Sequence, residues 1–175
     1  LILSSYESDT LKEYASANNL GHSTITTVVY KEFVKAVEEE NGCQTYYNLG
    51  NRTLSGDGYT MYFFNPTIDM YQDIKSAQDK NNVSPIIILD LEVAGKKIAL
   101  TGDADKEQEN NFIAQLSDNN YGIGTTFCDV DILKVAHHGG KESSNQEFLE
   151  VVKPEYALIS VGANNTYGHP TQEAL

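Results

Sequence analysis

Three of the four histidines lie in the last 39 residues, and each of these three is close to a glycine and follows an apolar run. An aspartate, in Thr-Gly-Asp, ends another such run. Imidazole and carboxylate are the usual ligands of zinc and manganese, and the end of a strand holds a side chain at little entropic cost. The pattern predicts a metal or phosphate site formed by Asp103, His137, His138 and His169.

Each of these residues also has a simpler interpretation. A single histidine is more often a polar residue at a rim or in a satisfied core than a ligand, and Asp103 alone could be a turn residue. His22 stands apart from the group. What favours a site is that four such residues fall at three successive strand ends.

The surrounding elements are predicted from periodicity and turn residues. Strands are expected over 83–91, 97–100, 131–136 and 156–161, and helices over 9–18, 106–116 and 145–152. A hairpin is expected around Gly56-Asp57-Gly58, with its second strand stopped by Pro66, a strand entering a helix near Lys31, and a loop over 73–82. The apolar strands 83–91 and 156–161 are expected to be buried. This order predicts a layered α/β domain with functional groups along one rim.

Size and charge limit the function classes. At 175 residues the chain has the length of one domain. A formal net charge of -13 disfavours an open nucleic-acid groove, although a bound divalent ion can still attract phosphate in an acidic protein. Cys43 and Cys128 are expected to be free or buried thiols rather than a disulfide. No apolar run is long enough to predict a membrane-spanning helix.

Three motifs in this order resemble one known family. Residues 100–107 (LTGDADKE), 133–139 (LKVAHHG) with Ser143-Ser144, and 160–170 (SVGANNTYGHP) resemble the metallo-β-lactamase-like domain of ComEC-type competence proteins. The resemblance extends over about residues 55 to 175. His-His-Gly by itself is a weak signal, whereas the three motifs in succession are specific.

The resemblance implies an α/β metallo-β-lactamase αββα sandwich and a hydrolase that uses one or two divalent ions, zinc or manganese. Its substrate would be a phosphodiester, either a nucleic acid or a small molecule. By this resemblance Asp103 ligates or bridges the ions and His138 is a late ligand. His137 either ligates an ion or orients its neighbour, and spacing does not separate the two roles.

The resemblance also implies roles in catalysis. His169 contacts the scissile phosphate or acts as general acid, with a supporting role as the alternative. Lys134 and Ser143 contact the substrate phosphate or support the residues that do, although a lysine on a strand is commonly just a solvated edge residue. Gly140 stands where the family usually has serine, which departs from the family pattern at that contact.

Residues 1–175 are expected to form a single domain truncated at the N-terminus and also at the C-terminus. The family's His-x-His/Asp-x-Asp-His cluster does not occur in the sequence, and residues 1–8 resemble the strand and loop that follow that cluster. The chain alone is therefore expected to bind metal weakly, to be inactive, and to expose an apolar face that favours self-association or pairing with the missing half.

Two alternatives remain open at this point. The chain could be a non-catalytic binding or scaffold module that retains the fold without the metals, which its acidity favours. A β-lactamase or thiolesterase fits less well, because those enzymes lack the paired-histidine and Tyr-Gly-His-Pro loops together. The resemblance and the frequent Asn and Tyr favour an extracytoplasmic bacterial location.

Overall fold

The computed structural model describes residues 2–3, 28–44, 46–47, 52–64, 83–118, 121–123 and 125–175. The helix expected over 9–18, the loop expected over 73–82, and His22 lie outside these residues. The described helices are α1 (Val28–Glu39), α2 (Lys106–Ser117) and α3 (Gln146–Val152). The described strands are β1 (Ile2–Leu3), β2 (Tyr46–Tyr47), β3 (Arg52–Gly56), β4 (Tyr59–Phe63), β5 (Ile87–Leu91), β6 (Lys96–Leu100), β7 (Ile132–Lys134) and β8 (Tyr156–Leu158).

Six of these strands form one mixed sheet in the order β3-β4-β5-β6-β7-β8. The first four are antiparallel neighbours joined in part by tight turns, such as the predicted turn at Asp57-Gly58, where Gly58 has a φ of 76°. β6, β7 and β8 are parallel. Strands β1 and β2 form a separate parallel pair.

One face of the sheet carries the main core. Ile88, Ala99 and Leu133 are adjacent across β5, β6 and β7 and are buried against the apolar faces of α2 and α3. Phe112 of α2 and Phe148 of α3 meet edge to face, with ring centroids 5.4 Å apart. Edge-to-face aromatic pairs add to the free energy gained by burying apolar area, so this contact joins the two helices to each other as well as to the sheet.

The opposite face of the sheet is also apolar. One row of paired residues crosses all six strands and consists of Leu54, Met61, Leu89, Ile98, Ile132 and Tyr156. The four central members of the row are partly buried, whereas Leu54 and Tyr156 at its two ends are 42% and 65% exposed. Leu158, in the next row, is also exposed.

Most predicted elements that the structure describes are confirmed, with four differences. The strand expected over 156–161 is shorter and exposed rather than buried, because among the described residues β8 lies at the edge of the sheet, beside β7. The strand expected over 83–91 begins later, at Ile87, and its last three residues are only partly buried. Residues 135–136, expected as strand, lead into a 3₁₀ turn over Ala136–His138. The helix expected near Lys31 already begins at Val28.

The described part of the chain is thus a mixed sheet with α2 and α3 packed on one face. This confirms the predicted α/β class, whereas the more specific αββα sandwich stays a prediction. Both cysteines are free, as predicted: Cys43 is exposed, and burial raises the pKa of the Cys128 thiol to about 12. Among the described residues, none of the helices is both long and apolar enough to span a membrane.

Candidate functional site

The predicted site residues follow the ends of three parallel strands. Asp103 comes three residues after β6, His137 and His138 come three and four residues after β7, and the loop that contains His169 follows β8. Because parallel strands end at the same edge of a sheet, these segments meet there, as is usual for sites in α/β folds.

Asp103 and His138 form the centre of the site. The Nε2 atom of His138 lies 3.5 Å from Oδ1 of Asp103, and both side chains are about half exposed. On its other side, Nδ1 of His138 lies 2.5 Å from the carbonyl oxygen of Ser160. A carbonyl only accepts, so Nδ1 must carry the proton that it donates. Nε2 of His138 therefore faces a carboxylate oxygen, an arrangement that suits a proton or a cation between the two atoms.

The distance between these two side-chain atoms also fits a metal ion. Two ligands of a tetrahedral zinc ion with bonds of 2.0–2.1 Å are separated by roughly 3.3 Å. The 3.5 Å between Nε2 and Oδ1 is close to that separation. The carbonyl on the far nitrogen is the usual partner that fixes the tautomer of a ligating histidine. Asp103 and His138 therefore fit two ligands of one ion, whereas catalytic zinc sites have three protein ligands.

The backbone that presents the histidines has an uncommon conformation. His137, His138 and Gly139 follow one another with φ values of 44°, 55° and 77°. Non-glycine residues in this left-handed region are uncommon and cost roughly 1–3 kcal/mol where they are strained, although histidine tolerates it better than most. Such a conformation persists only where the surrounding contacts determine it.

Hydrogen bonds between the ends of β6 and β7 are among the contacts that hold this backbone conformation. The amide of His137 donates to the carbonyl of Gly102 at 3.2 Å, and the hydroxyl of Thr101 donates to the carbonyl of Lys134 at 2.6 Å. The Lys134 ammonium donates to the carbonyl of Gly102 at 2.8 Å and to that of Val135 at 3.2 Å. These hydrogen bonds hold the turn that contains Asp103 against the turn that contains the histidines.

Lys134 is thus placed beside Asp103 rather than on a solvated edge. Burial lowers the pKa of its ammonium, and the charge of the Asp103 carboxylate opposes that shift. Its hydrogen bonds to backbone carbonyls support Asp103 from behind, which corresponds to the second of the two roles expected for it. A contact with substrate phosphate stays a prediction.

His137 and His169 line a different part of the site. Their ring centroids are 5.4 Å apart, at the wall of an open cleft of about 400 Å³ that Lys106 and Lys141 also line. Gly140 lies beneath the two rings: a Cβ at this position would be 3.1 Å from Cε1 of His169 and 3.3 Å from Cγ of His137. The absence of a side chain at Gly140 therefore allows both imidazoles to approach the backbone closely.

Two further side chains hold the loops in place. Asn165 holds His169, since its Nδ2 donates to the His169 carbonyl at 2.7 Å and its Oδ1 accepts from the His169 amide at 3.0 Å. Ser143 is buried, and its hydroxyl lies 3.1 Å and 2.8 Å from the carbonyls of Ala136 and Gly140. These contacts correspond to a supporting role for Ser143, while its contact with substrate remains a prediction.

The structure therefore divides the predicted set into two pairs, Asp103 with His138 and His137 with His169. Across the described residues, no three side chains of metal-binding type are grouped closely enough to hold an ion. Within those residues, His137 is not grouped with Asp103 and His138 in that way.

Sequence reasoning missed Asn165 and Glu109. Glu109 precedes Phe112, Ile113 and Leu116 at helical spacing on the side of α2 that packs into the core. A carboxylate on an apolar stripe is an informative signal, because ionised groups are almost never fully buried without partners. Asn165 could have been found from its place four residues before His169 in a loop rich in glycine and asparagine.

No family model matches the sequence. The chain is 39% identical over 98 residues to ComE operon protein 3 of Bacillus subtilis, a match that covers 55% of this chain and 11% of that protein. It is 34% identical over 85 residues to competence protein ComA of Neisseria gonorrhoeae, covering 49% of this chain and 11% of the relative. A third relative, recombination protein 2 of Haemophilus influenzae, is 34% identical over 91 residues, which is 51% of this chain and 10% of that protein.

These similarities confirm the predicted resemblance to ComEC-type competence proteins at moderate identity over about half of the chain. The chain spans about a tenth of the length of the curated relatives that it matches.

Proposed function

We propose that this chain is part of a divalent-metal-dependent hydrolase that cleaves phosphodiesters and acts in the DNA uptake of competence. The observation that carries the proposal is the Asp103–His138 pair, in which an imidazole nitrogen and a carboxylate oxygen are 3.5 Å apart and both side chains are partly open to solvent. Two such acceptors side by side form a binding site for a cation.

The comparisons support the biological part of the proposal. The names of the Bacillus and Neisseria relatives refer to competence. The resemblance of this chain to these proteins also supports a more specific fold, an αββα sandwich of metallo-β-lactamase type. The described sheet, α2 and α3 would form one half of that sandwich. The second apolar face of the sheet, with its row from Leu54 to Tyr156, is suited to packing against the other half.

The proposed chemistry assigns distinct tasks to the two pairs of residues. Asp103 and His138 hold a zinc or manganese ion, completed by ligands from outside the described residues, and a bound ion of this kind supplies charge stabilisation and an activated water. His137 and His169 face the cleft and donate hydrogen bonds to the phosphate oxygens. His169 also gives a proton to the leaving oxygen. Lys134 keeps the turn of Asp103 in position through the Gly102 carbonyl.

The test is metal-dependent cleavage by the full protein. With Mn²⁺ present, we expect hydrolysis of an unspecific phosphodiester such as bis(p-nitrophenyl) phosphate, and we expect chelation to abolish it. Asp103→Asn keeps the shape but removes the charge that binds the ion, and should reduce the rate by a factor of at least about 100. The matched control is Asp57→Asn in the exposed β3–β4 turn, where asparagine is equally suited to the backbone.

The cleavage rates of the unmodified protein and the two variants decide whether the proposal holds. Loss of activity in Asp103→Asn with normal activity in Asp57→Asn supports the proposal. Cleavage that persists in Asp103→Asn, or an absence of metal-dependent cleavage in the unmodified protein, contradicts it.

A non-catalytic binding module is the second candidate, and the exposed apolar side chains of Leu54, Tyr156 and Leu158 favour it. Such a module would use the second sheet face to bind another protein surface. For this candidate the face should stay open in the full protein, which should therefore bind an apolar dye, and Tyr156→Ser with Leu158→Ser should reduce that signal. A full protein that binds no dye would contradict it.

A further inference from the structure

The helix α2 contains a fully buried carboxylate that the proposed reaction does not use. Glu109 has no solvent-exposed surface, and its side chain accepts three hydrogen bonds from the chain just before α3. Oε1 accepts from the amide of Ser144 at 2.6 Å, and Oε2 accepts from the amide and the side-chain Nδ2 of Asn145 at 2.8 Å and 2.6 Å.

These donors stand at the end of the segment that contains the paired histidines. Residues 136–145, which we call the histidine loop, begin at the 3₁₀ turn after β7 and end at Asn145, whose Oδ1 caps α3 by accepting from the amide of Phe148 at 3.0 Å. Ser144 itself has a φ of 57°. The loop therefore includes left-handed non-glycine residues at both of its ends.

A loop with such a backbone needs an anchor at each end. At the start, the amide of His137 is bonded to Gly102, and in the middle the Ser143 hydroxyl binds two carbonyls of the loop itself. At the far end, the backbone bond from Lys106 to Glu142 and the three bonds to Glu109 connect the loop to α2. Glu109 is thus the buried side chain that connects the helix to the end of the loop.

We propose that Glu109 is a positioning residue: its carboxylate fixes the end of the histidine loop, and through the loop it sets the placement of His137, His138 and Gly140. This inference rests on the proposed function only in giving that placement a catalytic purpose. The mechanical claim, that Glu109 holds the loop, stands by itself.

The donors of the contact suit an ionised carboxylate. All three partners of Glu109 are N–H donors, and an ionised carboxylate consists of acceptors alone. Glutamine has nearly the same shape but directs one NH₂ group at these donors, so at least one buried N–H loses its acceptor. The expected consequence is local loosening of the loop with only a modest change elsewhere.

Hydrogen–deuterium exchange of the full protein at pH 8 tests the inference. In Glu109→Gln, amides in the peptide covering residues 139–145 should exchange at least about ten times faster, which corresponds to about 1.4 kcal/mol of lost local protection. Phe112→Leu is the matched control, since it weakens the core at a neighbouring buried position of the same helix but leaves the three bonds intact. It should raise exchange in α2 and α3 without a selective effect on the loop.

Equal protection of the loop in Glu109→Gln and the unmodified protein would overturn the inference, and so would an increase matched by Phe112→Leu. If Glu109→Gln fails to fold, Glu109→Asp, which keeps the charge but is one methylene shorter, should show the same selective effect at a smaller size. If the loop amides of Glu109→Asp exchange as slowly as those of the unmodified protein, the inference is contradicted.

Mn²⁺ titration in parallel separates this inference from the proposed function. We expect Glu109→Gln to weaken Mn²⁺ binding by a factor of about ten, and Asp103→Asn to abolish binding while loop exchange stays normal. If the unmodified protein binds no Mn²⁺, the proposed function fails and the exchange result still decides the role of Glu109. Faster loop exchange with unchanged Mn²⁺ affinity would contradict the placement of His138 by Glu109.

Discussion

Asp103 and Glu109 are two carboxylates six positions apart in the sequence, yet their surroundings are opposite. Asp103 is about half exposed and faces the imidazole of His138. Glu109 is buried and surrounded by N–H donors from Ser144 and Asn145. The first retains acceptor capacity for a ligand, whereas the second uses its acceptors within the fold.

This difference distinguishes a side chain that is open to a ligand from one that supports the fold. The exposed carboxylate sits in a turn just after a strand, where side chains reach solvent, and the buried one sits on a helix whose stripe otherwise contributes Phe112 and Leu116 to the core. The comparison predicts that substitutions of Glu109 act mainly on stability and those of Asp103 mainly on binding and catalysis.

The largest effect on stability is expected for Glu109→Ala. It removes the acceptor of two backbone N–H groups and one side-chain N–H group that are part-buried, and an unsatisfied group costs about 1–3 kcal/mol where it is shielded from water. After relaxation and relief of the carboxylate's own desolvation, we expect the free energy of unfolding to fall by about 3 kcal/mol, measured by urea denaturation. A change below about 1 kcal/mol would show that Glu109 is not the anchor that its contacts indicate.

The pH dependence of stability is the next largest effect. Burial raises the pKa of Glu109 from 4.5 to about 7, while the hydrogen bonds from Asn145 and Ser144 oppose the shift. The folded state therefore binds more protons than the unfolded state between these pKa values, so stability falls as pH rises through this window. Protonation removes the cost of burying a charged carboxylate, and this gain in free energy is larger than the loss from giving up one hydrogen-bond acceptor.

We expect a loss of about 2 kcal/mol between pH 5 and pH 7 from this residue. The measurement is the difference between the unfolding curves of the unmodified protein and Glu109→Gln, since glutamine does not titrate and the remaining groups cancel. Parallel curves for the two proteins, or a rise in the unmodified protein's stability relative to the variant, would contradict the prediction.

Asn145→Ala should have a smaller effect. It removes the cap of α3 at Phe148 and one of the three bonds to Glu109 but keeps both backbone donors. Loss of an N-cap asparagine typically costs about 1 kcal/mol, and we expect a change of about that size in thermal or urea unfolding. Asn145→Asp, which restores the cap but brings a second carboxylate beside Glu109, should not recover the full stability.

The smallest effect on stability is expected for Asp103→Asn, the variant with the largest expected effect on catalysis. Its side chain is partly exposed and is paired with a half-exposed imidazole, so the free energy of unfolding should change by less than about 0.5 kcal/mol. Calorimetry without added metal checks this. A loss comparable to that of Glu109→Ala would remove the contrast between the two carboxylates.

Much of the described fold could be predicted from sequence because local patterns determine it. The Gly56-Asp57-Gly58 turn, the helix after Asp105 and the strand that ends before His137 were all visible as turn residues, caps or periodicity. β8 was expected to be buried because its residues are apolar, but burial depends on what lies beside a strand. The residues Tyr156–Leu158 themselves do not encode which elements lie beside the strand.

The candidate site was predictable in its residues but not in its arrangement. Spacing placed Asp103, His137 and His138 at strand ends, which the structure confirms. Whether His137 or His138 faces Asp103 depends on consecutive left-handed backbone angles that spacing does not reveal. Glu109 was missed since its partners are backbone amides 35 and 36 positions away, a contact that exists only after folding.

The left-handed run at His137, His138 and Gly139 also bears on how this protein can change. At the first two positions the backbone geometry suits glycine better than any side chain, while the chemistry requires imidazole. Replacing either histidine with glycine should therefore make the folded state easier to form, even as it removes a functional group. A screen that selected only for thermal tolerance would therefore tend to erase these histidines.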